Sequence, residues 1–230
     1  MAKKQGHITP ELYQFFQELK ENNDREWFKV NKPRYESDIR EPLLQFVMEF
    51  GLRLGEISSH FVADARRTGG SLFRIYRDTR FSRDKAPYKI AAGIQFRHER
   101  AKDVHAPGFY LHLEPENSFM GMGLWHPDSK TATRIRSAIV DQSDEWKDIV
   151  TASKLLREFK LGGESLKKAP RGFDPNHPLL EDLKRKDFLI FKSLSEKETC
   201  EPRFINDFSE SCKLGAPFMW FLTLAVGLDW

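Results

Sequence analysis

Between Arg74 and Lys89 the sequence reads Arg-Ile-Tyr-Arg-Asp-Thr-Arg-Phe-Ser-Arg-Asp-Lys-Ala-Pro-Tyr-Lys. Four arginines at three-residue intervals, two lysines and two aspartates share sixteen residues. Guanidinium groups bind carboxylate and phosphate through two parallel N–H donors, provided something holds the fork in place. Asp78 and Asp84 can supply that buttress. Arg74, Arg77, Arg80, Lys85 and Lys89 are then the groups that would hold a small anionic or phosphorylated molecule, with Tyr76 beside them. Two other readings fit the same residues. The charges could form an internal network that clamps the Thr79–Tyr88 turn to the helices, without catalysis. Alternatively, the basic turn could touch nucleic acid, with Phe81 or Tyr88 stacking on a base.

A second group follows on Gly108-Phe-Tyr-Leu-His-Leu-Glu114, the cleanest alternating segment of the chain. Side chains two apart share a face of a strand, so Tyr110, His112 and Glu114 lie together, opposite Phe109, Leu111 and Leu113. With Phe73 and Ile75 on the core face, Tyr76 and Asp78 join the polar side. Histidine is the side chain suited to proton transfer at physiological pH, so His112 could act as a general base oriented by Glu114 or Asp78. The plainer reading is a histidine that satisfies a hydrogen bond under a covering helix. Gly121 and Gly123 recur on one face of the next segment, which suits close packing of a helix. His105, His112, Glu114 and His126 can be combined into a metal site on paper. Only two of them have a defined geometric relation, so no metal is expected. No Walker loop, dinucleotide fingerprint, zincin motif or nucleophile elbow occurs, and no cofactor is expected.

The elements that must position these groups follow from periodicity. Residues 9–60 read as helical. Thr9-Pro10 opens the first helix, with Leu12, Phe15, Phe16 and Leu19 at helical spacing. Asn23 is the expected cap of a second helix, boxed by Glu26 and ending at Asn31-Lys32-Pro33. Asn23, Arg25 and Trp27 could also rim a pocket. A third helix is expected from about Arg34 to Gly55, with a kink at Pro42. Residues 70–127 form the strand-rich part, with strands at Phe73–Asp78, Ile90–Phe96, Phe109–Glu114 and Phe119–Trp125 around a polar loop at 98–107. Helices return over 129–160, from Ser129 to about Asp141 and from Ser143 to about Phe159. A Pro- and Gly-rich connector spans 162–178. The C-terminal part, 179–230, holds a possible fifth strand at Phe188–Leu194 and buried helices. Short hairpin connections favour antiparallel pairing. The expectation is one α+β domain, with a mostly antiparallel sheet of four to five strands and helices before and after it.

Composition narrows the partners. The 230 residues are 40% hydrophobic and 31% charged, which is normal for a folded domain. Net charge is +3. Residues 66–89 carry eight basic and two acidic side chains, so the positive bias sits in one compact segment and not along a nucleic-acid-sized stripe. The run Ala216–Leu228 is shorter than a membrane span, and no apolar stretch follows the basic N-terminus, so neither membrane nor secretion is expected. Two cysteines, Cys200 and Cys212, make no disulfide framework. A cytoplasmic protein is the simplest reading.

These motifs together resemble one family. Asn22-Asn-Asp-Arg-Glu-Trp-Phe28 with Asn31-Lys32 and Tyr35 comes first, then Arg74-Ile-Tyr-Arg-Asp78 with Arg80-Phe-Ser82 and Asp84-Lys85. Pro87-Tyr-Lys89, Gly108-Phe-Tyr-Leu-His112, Gly121, Gly123, Trp125, Pro127, Pro170, Gly172 and His177-Pro178 complete the series. The chain is similar, from about Thr9 to Leu194, to the bacterial and fungal family labelled domain of unknown function 2461. The resemblance marks the Arg74–Lys89 region as a family feature and implies no particular reaction. That family tends to have three consecutive glycines where this chain has Met122 between two, which argues against a backbone anion nest there.

Overall fold

The computed structural model describes residues 6–100 and 106–230. The N-terminal residues used in the leader reading, Met1–Gln5, lie outside the described residues, as do His105 and the middle of the 98–107 loop.

Helix α1 (Pro10–Glu21) buries Leu12, Phe15, Phe16 and Leu19, as their spacing requires. Thr9 does not cap it through its side chain. Helix α2 (Arg25–Tyr35) is capped one residue later than the sequence pattern predicts. Asp24 Oδ1 accepts from the backbone of Glu26 and Trp27, both at 2.9 Å. A carboxylate at this position also favours the positive end of the helix. The helix does not end at Pro33. It continues into a π-helical turn, Glu36–Arg40, and then into α3 (Glu41–Ile57). Pro42 has no N–H to return to the preceding turn, and the wider turn closed by Glu41 N–H to Glu36 O accommodates it.

Six strands form one antiparallel sheet in the order β1-β2-β3-β4-β6-β5. They are β1 (Phe61–Val62), β2 (Ala92–His98), β3 (Gly108–Leu113), β4 (Ser118–Leu124), β5 (Lys160–Gly162) and β6 (Phe188–Leu194). The two short edge strands, β1 and β5, raise the number above the expected four to five, and Phe73–Asp78 is not among them. That segment runs extended but makes only isolated bridges, Leu72 to Ile94 and Tyr76 to Tyr88.

After β4 come α4 (Ser129–Asp141), α5 (Ser143–Thr151) and α6 (Ser153–Glu158). The single helix expected from Ser143 to Phe159 is broken at Ala152, whose ψ of 119° leaves the helical region. Short helices α7 (Leu180–Leu183) and α8 (Glu196–Thr199) flank β6, and α9 (Phe204–Ala225) closes the fold.

Helices α3 and α9 cover one sheet face. Phe50 of α3 meets Phe96 of β2 at 4.6 Å and Phe208 of α9 at 4.9 Å. Each such fully buried ring contributes roughly 1.5–3 kcal/mol. The closest helix approach is made by Gly215 of α9, where a Cβ would press on Met122 Cε at 2.9 Å. Gly121 and Gly123 do not serve that purpose. Gly123 is required by its φ of 129° and by the Phe188 backbone, and Gly121 has ordinary room. The other face of the sheet carries Gly93, Gln95 and Arg97 of β2, Tyr110 and His112 of β3, and Phe119 of β4, most of them half-buried. Among the described residues no helix is long and apolar enough to cross a membrane. The chain is an α+β domain whose sheet is flanked by helices.

Candidate functional site

Residues 71–77 leave the edge of β2 and turn back on themselves. Gln95 N–H bonds Ser71 O and Phe73 N–H bonds Gly93 O, so this segment continues the edge that β1 begins. Beyond it, Lys89 N–H bonds Ile75 O and Arg77 N–H bonds Pro87 O, which makes a narrow arm with a loop at its tip. The arm is fixed to α2 by Asn23. Its amide donates to Tyr88 O and accepts from Tyr88 N–H, both at 3.0 Å. Asn23 therefore caps the arm and not the helix. The ring of Tyr88 lies flat on Phe28 at 4.1 Å.

The register of this segment corrects one expectation. Leu72 pairs with Ile94 and so faces the helix-covered core, which sends Phe73 to the opposite face. Phe73 lies 6.1 Å from Tyr110 and under the Lys89 ammonium at 5.3 Å. Phe73 thus accompanies Tyr110, where the strand phase placed it with Phe109.

The cationic residues of the Arg74–Lys89 segment divide into two sets. Three of the four loop cations bond within it, Arg77 to Asp84, Arg80 to Asp78 at 2.6 Å, and Lys85 to Thr79 O at 2.9 Å, while Arg83 stands exposed in water. The Arg80 guanidinium holds the exposed Asp78 carboxyl down at about 2. Asp84 also lies below the ordinary carboxylate range, through the Ala86 N–H first and Arg77 second. At the tip, Phe81 is 95% exposed. Asp78 is thus bonded to Arg80 and not to His112.

Arg74, Tyr76 and Lys89, at the base of the arm, instead line a cavity of about 610 Å³. Lys32, Glu36 and Arg40 reach it from α2 and the π-helical turn, four residues apart and therefore on one side. Arg67 and the backbone of Thr68-Gly69-Gly70 close another wall, and Arg97 enters from β2. At Gly69 (φ 75°) a Cβ would meet open space, so the peptide backbone there is bare. Gly70 admits no side chain, since a Cβ would stand 2.7 Å from Arg66 O and closer still to Asp64 O. The floor is apolar, with Phe28, Tyr35, Leu72 and Ile75. Sequence reasoning missed Lys32, Glu36, Arg40, Arg67 and Arg97. The one signal for them is Arg66-Arg67 directly before Thr-Gly-Gly, a cationic turn with exposed backbone.

The cavity's charge is lopsided. Six cations line it with a single carboxylate, Glu36. That carboxylate is shared by Arg40 at 2.8 Å and Arg67 at 3.3 Å, and Arg67 also reaches Glu41 at 3.1 Å. Among the described residues no carboxylate lies within 4.0 Å of Lys32, Arg74, Lys89 or Arg97. Burial, and then the neighbouring Arg74, push the Lys89 ammonium below its usual value. Burial also raises the Tyr35 phenol to about 12.

His112 stands on the same sheet face, outside the cavity lining. Tyr110 OH is 3.0 Å from His112 Nδ1, His112 Nε2 is 3.0 Å from Glu114 Oε2, and Asn117 Nδ2 donates to Glu114 at 2.7 Å. A carboxylate only accepts, so with a neutral ring Nε2 carries the hydrogen and Nδ1 accepts the phenol's. This chain can carry a proton from phenol to carboxylate. Burial, reinforced by the Glu114 charge, raises the phenol to about 12. Phe73 separates Tyr110 from Lys89 and the cavity.

The remaining candidates lie apart. Arg25 is exposed and Trp27 packs on Phe15 at 5.6 Å, while α2 presents Phe28, Lys32 and Tyr35 to the cavity. His126 bonds the buried Asp187, which also accepts from Glu164 N–H, so it closes a structural clip. Among the described residues no three metal-binding side chains cluster.

No curated protein and no solved structure matches the chain. The sequence does match the conserved hypothetical protein family DUF2461 over residues 11–221, which shows that the chain belongs to that family.

Proposed function

We propose that the cavity between α2, the 64–71 turn and the base of the arm binds a small anionic molecule, phosphorylated in the first instance. The observation that carries this reading is the excess of cations on the cavity wall, six against Glu36, four of them with no carboxylate within 4.0 Å among the described residues. Holding like charges together at a partly apolar site costs stability, and an anion offsets that cost. Arg74 and Arg97 supply guanidinium forks, Lys89 and Lys32 point charges, and Thr68–Gly70 a bare backbone. Calorimetric titration with inorganic pyrophosphate tests it. The wild type should bind, and Arg74→Ala with Arg97→Ala should weaken binding at least about 10-fold, the scale of one charged hydrogen bond. Arg77→Ala with Arg80→Ala should bind within about 2-fold of wild type. Equal losses in the two double variants would overturn the assignment of the site to the cavity.

An enzymatic reading is favoured by one further observation, the Tyr110–His112–Glu114 chain next to Phe73. In that reading a ligand anchored by Lys89 and Arg74 extends past Phe73 to exchange a proton with Tyr110, and His112 relays it. Phosphate release from phosphorylated substrates would then fall in His112→Gln by about 100-fold, within the range of general acid–base catalysis, with pyrophosphate affinity unchanged. No turnover by the wild type leaves a binding module.

A further inference from the structure

Charge alone would be served by a shallow basic patch. This cavity pairs its charge with a wide aromatic and aliphatic surface, and that pairing defines the ligand more closely. Tyr76 stands two positions beyond Arg74 and is 48% exposed. It is braced by the edge-on ring of Phe28 at 6.2 Å and the tilted ring of Tyr88 at 5.5 Å, contacts that steady it and still leave about half of the residue exposed. Ile75 and Leu72 continue the apolar bed towards the Thr68-Gly69-Gly70 turn. Inorganic phosphate has no use for such a bed. A flat, unsaturated ring system does, and stacking on a braced aromatic contributes roughly 1–3 kcal/mol per base.

Resting on the anion-binding reading above, we propose that the cavity takes a nucleoside diphosphate or triphosphate, its base on Tyr76 and its phosphates among Arg74, Lys89 and Arg97. Tyr76 and the cations lie on the walls of one cavity of about 610 Å³, a size usual for small-molecule sites. The two parts of the ligand divide the cavity between them. Several cations against one carboxylate favour more than one phosphate. The braced ring favours a base over a plain sugar phosphate, which would leave Tyr76 as exposed as it is in the free protein.

The experiment is a calorimetric comparison of adenosine diphosphate, pyrophosphate and ribose 5-phosphate on wild type, Tyr76→Phe and Tyr76→Ala. The wild type and Tyr76→Phe should bind adenosine diphosphate at least about 10-fold more tightly than pyrophosphate, one stacked base converted at 1.4 kcal/mol per decade. Tyr76→Ala should abolish that preference and keep its pyrophosphate affinity, which also shows that it is folded. Pyrophosphate binding with no gain from the base would overturn this proposal and leave the anion site standing. A preference that survives Tyr76→Ala would likewise overturn it. Binding of neither ligand would remove both readings.

Discussion

The cavity wall and the arm's loop are both rich in arginine and lysine, but they treat charge in opposite ways. In the loop, Arg77 and Arg80 each have an aspartate, Lys85 has a backbone carbonyl, and the one cation left unpaired among the described residues there, Arg83, stands in water outside the cavity lining. At the arm's base, Arg74 and Lys89 face cations from four other elements, with only Glu36 among them. A local pair needs only a loop of a few residues. Unpaired cations from separate elements converge only if tertiary structure brings them together, and the fold then bears a cost where one of them, Lys89, is half-buried. The difference teaches that charge density in a sequence does not locate a site, whereas charge left uncompensated in a fold does.

The contrast is most severely tested at Gly70. An added methyl there meets backbone oxygens of Asp64 and Arg66, which cannot swing away as a side chain would. Gly70→Ala should therefore cost about 3 kcal/mol, the upper range for overpacking, and lower Tm by roughly 6–12 °C. Because this turn carries Arg67 and the bare backbone, pyrophosphate affinity should fall as well. Unchanged affinity in a folded Gly70→Ala variant would remove the turn from the site. Next in size is Asn23→Ala. It leaves the N–H and C=O of the buried Tyr88 without their partner, at a cost of about 2 kcal/mol and a Tm lower by roughly 4–8 °C. If Tm does not move, the arm is held by the Phe28–Tyr88 contact alone.

These two residues also show what could be read in advance. β2, β3 and β4 are legible from alternation over six or seven residues and from the hairpin spacing that gives their antiparallel sense, whereas β6 alternates less cleanly and lies far from its partner in sequence. β1 and β5, with two and three residues, are too short to show a period. Asn23 and Asp24 are both competent caps, and nothing local selects between them. The choice is made by Tyr88, 65 positions away. Arg74, Tyr76 and Lys89 are legible as site candidates because one sixteen-residue segment holds all three. Lys32, Arg40 and Arg97 could not be, since the contacts that gather them come from the π-helical turn and from the pairing of 71–73 with β2. The Tyr110–His112–Glu114 chain needed only a two-residue period and was visible at once.

Lys89 gives a prediction of opposite sign. Its ammonium is half-buried, held over Phe73, and its affinity for a proton is lowered by burial and then by Arg74. A lysine whose folded value lies below its unfolded value binds fewer protons folded than unfolded. Stability should therefore rise with pH through the window between the lowered folded value and about 10.4. Below that window the charge works against the fold. Lys89→Met keeps the stem and removes the charge, so Tm should rise by roughly 1–4 °C, about 1 kcal/mol at most, while pyrophosphate binding weakens. A variant that loses both stability and binding would make Lys89 a structural residue.

The smallest expected effect belongs to Asp78. Its pair with Arg80 is fully open to water, and its depressed value of about 2 would support the fold only above the unfolded carboxylate range, fading as pH falls towards 2. Solvent and salt screen such a pair, and both side chains also lose freedom in making it. Asp78→Asn should leave Tm at neutral pH within about 1 °C of wild type, and pyrophosphate affinity within about 2-fold. Thermal melts in low and moderate salt check this, since any contribution would appear first at low ionic strength. A drop of several degrees, or a marked loss of binding, would mean that the loop's closed pairs shape the cavity after all. The separation of the two cationic regions would then have to be given up.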